Sequence, residues 1–181
     1  MIIAVIPAKG ESRRLKNKNI KNINEKPLFY WSVKLAEKSK LIKKIFVSTD
    51  SKKIQILAKK MNIETVKRSK KLGGETPIID VYKHAYKILS KKINIKSIVG
   101  LQPDHPDRKN TPDKVIKIFK KEKLDELFTC DKKRKQNGAY YIISKKVLTG
   151  GTSIKQKRIL DDCTNIHFLK DLKIAEKNLK K

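Results

Sequence analysis

The chain has 181 residues, 46 Lys and Arg against 18 Asp and Glu, a formal net charge of +28, and two cysteines. That length suffices to bury a full core in one domain, 1–181, without metal staples, and Cys130 and Cys163 form no disulfide framework. No apolar stretch approaches the roughly 18 to 20 residues of a membrane span. Residues 2–6 are too short and lack the basic flank of a leader, so a soluble protein of the reducing cytoplasm with no membrane partner is expected.

Taken in chain order, residues 2–6 (Ile-Ile-Ala-Val-Ile) carry no charge and read as a strand buried on both faces. They run into Pro7-Ala8-Lys9-Gly10-Glu11-Ser12-Arg13-Arg14-Leu15, closed by Lys18-Asn19-Ile20, a glycine-containing loop with cations at 9, 13, 14 and 18. Such a loop is either a phosphate cradle or a basic surface loop. It has neither the P-loop spacing nor the three glycines of a dinucleotide fingerprint. After Pro27, Leu28, Trp31 and Leu35 repeat at helical spacing. Residues 45–49 form a second strand, followed by a helix capped by Asp50 or Ser51 that carries Ile54, Leu57, Ala58 and Met61 inward. Residues 64–66 are a short third strand. Thr76-Pro77 is read as an N-cap with proline at the first helical position, opening a helix with Ile79, Val81, Ala85 and Leu89 inward.

The strand 97–101 ends in Gln102-Pro103-Asp104-His105-Pro106-Asp107-Arg108, and Thr111-Pro112-Asp113 starts a helix with Val115, Ile116 and Phe119 inward. Residues 127–129 and 138–143 read as two strands joined by a lysine-rich loop, and the tail from Lys170 as a closing helix with Leu172, Ala175 and Leu179 inward. Strands alternating with helices predict a three-layer α/β/α fold with a mostly parallel sheet. Ligands in such sheets collect beyond the carboxyl ends of the strands, where residues 8–19 and 102–108 both fall.

The excess positive charge invites a polyanion partner. Only six of the 46 basic residues are arginine, and the lysines sit as pairs at polar helix positions without interleaved aromatics. This argues for a solvated face rather than a specific nucleic-acid site.

Ala4-Val5-Ile6-Pro7-Ala8-Lys9-Gly10-x-Ser12-Arg13-Arg14, Lys18-Asn19-Ile20, Lys26-Pro27-Leu28, Val47-Ser48-Thr49-Asp50, Leu101-Gln102-Pro103 and Asn137-Gly138-Ala139-x-Tyr141 occur in this order. Together they resemble the CMP-sugar synthetases, the cytidylyltransferases that activate N-acylneuraminate, KDO and related acidic sugars with CTP. The resemblance implies the Rossmann-like nucleotidyltransferase fold and displacement of pyrophosphate from CTP by a sugar hydroxyl, with a divalent cation, Mg²⁺ or Mn²⁺. It implies Lys9, Arg13 and Lys18 as the catalytic cations on the triphosphate, with Lys9 where the family usually has arginine. Ala8, Gly10, Ser12, Asn19, Arg68 and Gly74 would bind the nucleotide, and Gln102, Asn137 and Gly138 the acceptor.

Asp104 is the first metal candidate, at a position where the KDO branch has a metal-ligating aspartate; a turn aspartate ahead of Pro106 is the alternative. His167 and Asp171 complete the candidate metal set. The sialic acid branch has two alternating aspartates where this chain has Asn165 and His167, and Asp171 also suits a helix cap. Arg68 is either a base-recognition residue or a surface arginine. Only 28 residues separate Arg108 from Asn137, whereas family members commonly insert a longer subdomain that closes the sugar pocket and mediates a homodimer. The short insert leaves the dimer and the acceptor open. The rival readings are a nucleotide-binding homologue without turnover and a basic nucleic-acid module.

Overall fold

The structure, a computed structural model, describes residues 1–73 and 76–180. In chain order the strands are β1 (Ile2–Pro7), β2 (Asn22–Ile23), β3 (Lys26–Pro27), β4 (Lys44–Thr49), β5 (Glu64–Lys67), β6 (Ser97–Gly100), β7 (Glu126–Cys130), β8 (Gln136–Ser144) and β9 (Gln156–Leu160). The helices are α1 (Leu28–Glu37), α2 (Lys52–Lys60), α3 (Ile78–Leu89), α4 (Pro112–Lys121), α5 (Lys145–Leu148) and α6 (Leu169–Leu179). Seven strands form one sheet in the order β5-β4-β1-β6-β8-β7-β9, and β2 pairs with β3 in a small antiparallel hairpin. β5, β4, β1 and β6 are parallel, β8 is antiparallel to β6 and β7, and β9 is parallel to β7.

The alternation of side chains along each strand builds the three layers. Ala4 and Ile6 of β1 pack with Val47, Val99 and Ile142 under α1, α2 and α4, which contribute Phe29, Val33, Ile54, Val115, Ile116 and Phe119. Ile3 and Val5 face the opposite layer with Phe46, Ile98 and Ile143, covered by Val81, Tyr82 and Ala85 of α3 and by Val147 and Leu148 of α5. A third cluster joins Leu15 of the basic loop to Ile23, Leu28, Ile166, Leu172 and Ala175, so α6 docks directly behind that loop. Gly100 permits a close approach between sheet and α3: a Cβ there would lie 2.3 Å from the Tyr82 ring.

Of the two cap candidates for α2, Ser51 fills the position, its side chain accepting from the Ile54 N–H. Thr76 does not cap α3; Pro77 occupies the N-cap, while the Thr76 hydroxyl donates to the Lys71 and Gly73 carbonyls. The strand β9 and the short helix α5 add to the elements read from sequence. Thr111 does cap α4, accepting from the Lys114 N–H.

Candidate nucleotide-binding site

β1 lies at the centre of the parallel strands, with the chain going next to β4 on one side and later to β6 on the other. The carboxyl end of β1 is therefore the topological switch point, where a crevice opens. A cavity of about 390 Å³ occupies it. From the loop after β1 come Lys9, Arg13, Arg14, Lys18 and Asn19. Across from them stand Arg68, Leu72, Ile78 and Val81, and Gln102, Asp104 and His167 form a further wall. A second cavity of about 320 Å³ shares Gln102, Asp104 and His167 with the first and adds His105, Gln136, Asn137, Gly138 and Asn165.

The loop is held from inside. Lys18 is buried, and its ammonium donates to Asp104 Oδ2 at 2.5 Å and to the Ile166 carbonyl at 3.0 Å, tying loop, 102–108 segment and C-terminal segment together. Asn19 Nδ2 donates to the Lys9 carbonyl at 2.8 Å. Asn19 Oδ1 and Arg68 Nε are buried with no hydrogen-bond partner among the described residues, Asn19 and Arg68 being 4% and 5% exposed. Orphaned polar atoms on a cavity wall are what a polar ligand would satisfy. Burial lowers the Arg68 pKa, while the nearby Asp50 carboxylate opposes that shift.

Asp50, the cap alternative that Ser51 displaces, makes other contacts. Its Oδ1 accepts from the Gly10 N–H at 2.8 Å, and it faces Arg68 electrostatically. Gly10 was expected to offer that N–H to phosphate; here the N–H is engaged by Asp50, and Gly10 and Ser12 fall outside the lining of the main cavity. Ala8 is fully buried, with its N–H on the Ser48 carbonyl. Gly74 lies outside the described residues.

On the acceptor side, the Gln102 amide stacks against Gly138 so tightly that a Cβ at 138 would lie 2.3 Å from Gln102 Cδ. Asn137 lines the second cavity, but its amide is engaged by the protein: Oδ1 accepts from Thr129 Oγ1 at 2.6 Å, and Nδ2 donates to the Asp161 carbonyl at 2.9 Å. Two further residues organise this wall. His105, only 2% exposed, accepts the Gly138 N–H at Nε2 (3.1 Å) and meets the Thr164 carbonyl through Nδ1 (3.1 Å). Burial foremost, and then the Arg108 charge, press its pKa down to about 4. Arg108 donates to the carbonyls of Gln102 and Ala139, each at 2.6 Å, and to that of His105. Sequence offered no signal for either role beyond their place after a strand end.

Asp104 and His167 line the same two cavities, whereas Asp171 is engaged at the start of α6. Asp171 Oδ2 accepts the backbone N–H groups of His167 and Phe168 at 2.9 and 2.8 Å, closing the first turn of α6. His167 Nδ1 contacts Arg14 Nη1 at 2.9 Å, and burial, followed by the Arg14 and Lys18 charges, lowers the imidazole pKa. Among the described residues no group of three or more His, Cys, Asp or Glu side chains is placed to hold a metal ion. A hard cation that keeps several waters and binds one carboxylate plus phosphate oxygens is nevertheless compatible with Asp104 on this cavity wall.

A family model described as Cytidylyltransferase matches residues 3–149. The chain belongs to the cytidylyltransferase family. Among its relatives, N-acylneuraminate cytidylyltransferase of Escherichia coli O18:K1:H7 (strain RS218 / NMEC) is 30% identical over 130 residues, which are 71% of this chain and 30% of that protein. CMP-N,N'-diacetyllegionaminic acid synthase of Legionella pneumophila is 35% identical over 111 residues, covering 60% of this chain and 48% of the relative. For 3-deoxy-manno-octulosonate cytidylyltransferase of Bdellovibrio bacteriovorus the identity is 30% over 105 residues, 58% and 40% of the two chains. In these matches the chain spans less than half the length of each relative.

The solved structure of CMP:2-keto-3-deoxy-manno-octonic acid synthetase complexed with CTP superposes with a TM-score of 0.79 at 14% identity, covering 99% of this cytidylyltransferase-family chain and 98% of that one. At that identity the likeness establishes the shared nucleotidyltransferase fold. No helix among the described residues is long and apolar enough to cross a membrane.

Proposed function

We propose that this protein transfers CMP from CTP to a hydroxyl of an acidic sugar, releasing pyrophosphate. The observation that carries this reading is the cavity at the switch point, lined by the cations Lys9, Arg13, Arg14, Lys18 and Arg68 together with the apolar Leu72, Ile78 and Val81. A tetra-anionic triphosphate suits the cationic loop, and a planar base suits an apolar wall with one buried guanidinium. The named relatives support the acceptor class.

In this reading the acceptor hydroxyl gives up its proton, its oxygen bonds to the α-phosphorus, and the bond from that phosphorus to the bridging oxygen of the β-phosphate breaks. The protein's part is positioning and charge neutralisation. Lys9, Arg13 and Lys18 neutralise the phosphates, while Asn19 and Arg68 orient the nucleotide. Gln102, lining both cavities, sits where acceptor and nucleotide would meet. A Mg²⁺ ion held by Asp104 and phosphate oxygens would add Lewis-acid polarisation of the α-phosphate.

The test is pyrophosphate release from CTP with Mg²⁺ or Mn²⁺ across a panel of nonulosonic and octulosonic acids, followed by Asp104→Asn. Turnover with at least one acidic sugar is expected, with kcat reduced about 100-fold in the variant, in the range lost with an electrostatic transition-state contact, and with an altered metal optimum. Unchanged kinetics would remove Asp104 from the site. Tight CTP binding without turnover across the panel would instead identify a nucleotide-binding homologue.

A further inference from the structure

Arg14 and His167 are 153 positions apart in sequence, yet Arg14 Nη1 lies 2.9 Å from His167 Nδ1. A guanidinium has donors only, so the contact is a hydrogen bond only if Nδ1 supplies the lone pair. The imidazole is then neutral with its proton on Nε2. In this pose Nδ1 is engaged and Nε2 is protonated, so neither nitrogen is disposed to ligate a metal.

The backbone that carries the ring is held on both sides. The backbone N–H of His167 is held by Asp171 Oδ2, and the preceding Ile166 is fully buried, with its carbonyl accepting from Lys18. Arg14, by contrast, is an exposed side chain on the loop, and both residues line the main cavity. The better-held residue therefore orients the freer one.

We propose that Arg14, oriented by His167, is a fixed positive clamp on the phosphates of the bound nucleotide, and that His167 is a positioning residue rather than a metal ligand. The proposal rests on the reading of the cavity as a triphosphate site. The histidine holds a guanidinium on the cavity wall, whose N–H groups match phosphate oxygens. The divalent cation requirement at this site then falls on Asp104 alone.

Three measurements test this. Ring nitrogen-15 shifts of His167 at neutral pH should report an unprotonated Nδ1 and a protonated Nε2; the opposite tautomer or a charged ring overturns the pair. In metal-free buffer, Arg14→Ala should weaken CTP binding about tenfold and His167→Ala about threefold to fivefold, the size of one charge-assisted contact. His167→Asn, whose amide oxygen can still accept from Arg14, should recover most of that loss, and Arg14→Ala/His167→Ala should bind no worse than Arg14→Ala. Additive losses overturn the coupling.

Mn²⁺ affinity by paramagnetic resonance in the CTP complex should fall more than tenfold in Asp104→Asn and less than twofold in His167→Ala; equal losses make His167 a ligand and sink the proposal. Inorganic tripolyphosphate separates this proposal from the nucleotide reading. Arg14-dependent binding of tripolyphosphate without CTP binding refutes the nucleotide reading and leaves the clamp, and absence of both refutes the two together.

Discussion

Lys18 joins three segments through one ammonium group. It bridges Asp104 and the Ile166 carbonyl from a buried position, so it fixes the loop as well as contributing charge to the cavity. Lys18→Ala removes the cation and leaves the Asp104 carboxylate partly buried beside no ammonium. CTP affinity, read by calorimetry, should fall about 10- to 100-fold, the scale of one or two charge-assisted contacts, while the acceptor KM changes less. A larger effect on the acceptor than on CTP would mean that the phosphates lie elsewhere.

His105 makes a pH prediction at the same scale. Its Nε2 must stay unprotonated to accept the Gly138 N–H, and burial holds its pKa near 4 against an ordinary 6.5. Above about pH 6.5 the imidazole is neutral in both folded and unfolded chains, so it contributes no pH dependence there. Between 6.5 and 4 the unfolded chain takes up a proton that the folded chain refuses, and stability falls by on the order of 3 kcal/mol across that window. Urea unfolding at stepped pH should trace this loss in the wild type. In His105→Gln, which keeps a hydrogen-bonding side chain that does not titrate, the slope in the window should flatten; an unchanged slope would assign the pH dependence to other groups.

At the scale of elements, α6 is the backing of the basic loop after β1. Leu172 and Ala175 share a cluster with Leu15 of that loop and with Ile23 and Leu28 of the hairpin and α1. Polar contacts add to this docking: Asn178 donates to Asp107 at 2.7 Å, and Glu176 accepts from the Asn24 N–H at 3.2 Å. Leu172→Ala should cost about 2–4 kcal/mol through lost burial and a residual cavity. Because the cavity opens behind Leu15, CTP binding measured well below the melting temperature should weaken too. If stability drops and CTP affinity does not, α6 supports the fold without shaping the loop.

The elements that sequence made legible are those with an apolar pattern: β1, β4, β5, β6, β7 and β8 in the sheet, and α1, α2, α3, α4 and α6 on its faces and behind the loop. β9 was illegible for a physical reason. It is an edge strand whose outward residues are exposed, with Lys157 and Arg158 in place of an apolar alternation, and charge on an edge is how sheets avoid pairing with other chains. The four-residue α5 is too short for helical periodicity to register. The loop cations and Asp104 could be placed at one cavity from strand order alone. The engagement of Gly10 by Asp50, of Asn137 by Asp161, and of His167 by Arg14 could not, because each depends on a pairing far apart in sequence.

At the scale of the whole molecule, the charge of +28 acts on any anion approaching the cavity. Most of that charge is spread over the surface as lysine, whereas the site itself concentrates Lys9, Arg13, Arg14, Lys18 and Arg68 around one crevice. These two populations respond differently to salt. Surface charge steers encounter through a field that is screened within about 8 Å at physiological ionic strength, so it governs the association rate. Contacts made inside the crevice are less screened and govern dissociation.

Raising salt from about 50 to 500 mM should therefore lower the CTP association rate by roughly tenfold, within the range that steering supplies, while the dissociation rate changes by less than about threefold. Stopped-flow fluorescence with a CTP analogue separates the two rates. Duplex DNA provides the contrast, because counterion release makes its whole affinity collapse over the same salt range. At intermediate salt, CTP should stay bound where DNA has left. If the CTP dissociation rate instead rose in step with DNA release, both anions would be held by the same diffuse lysine surface, and the crevice would lose its claim to be the binding site.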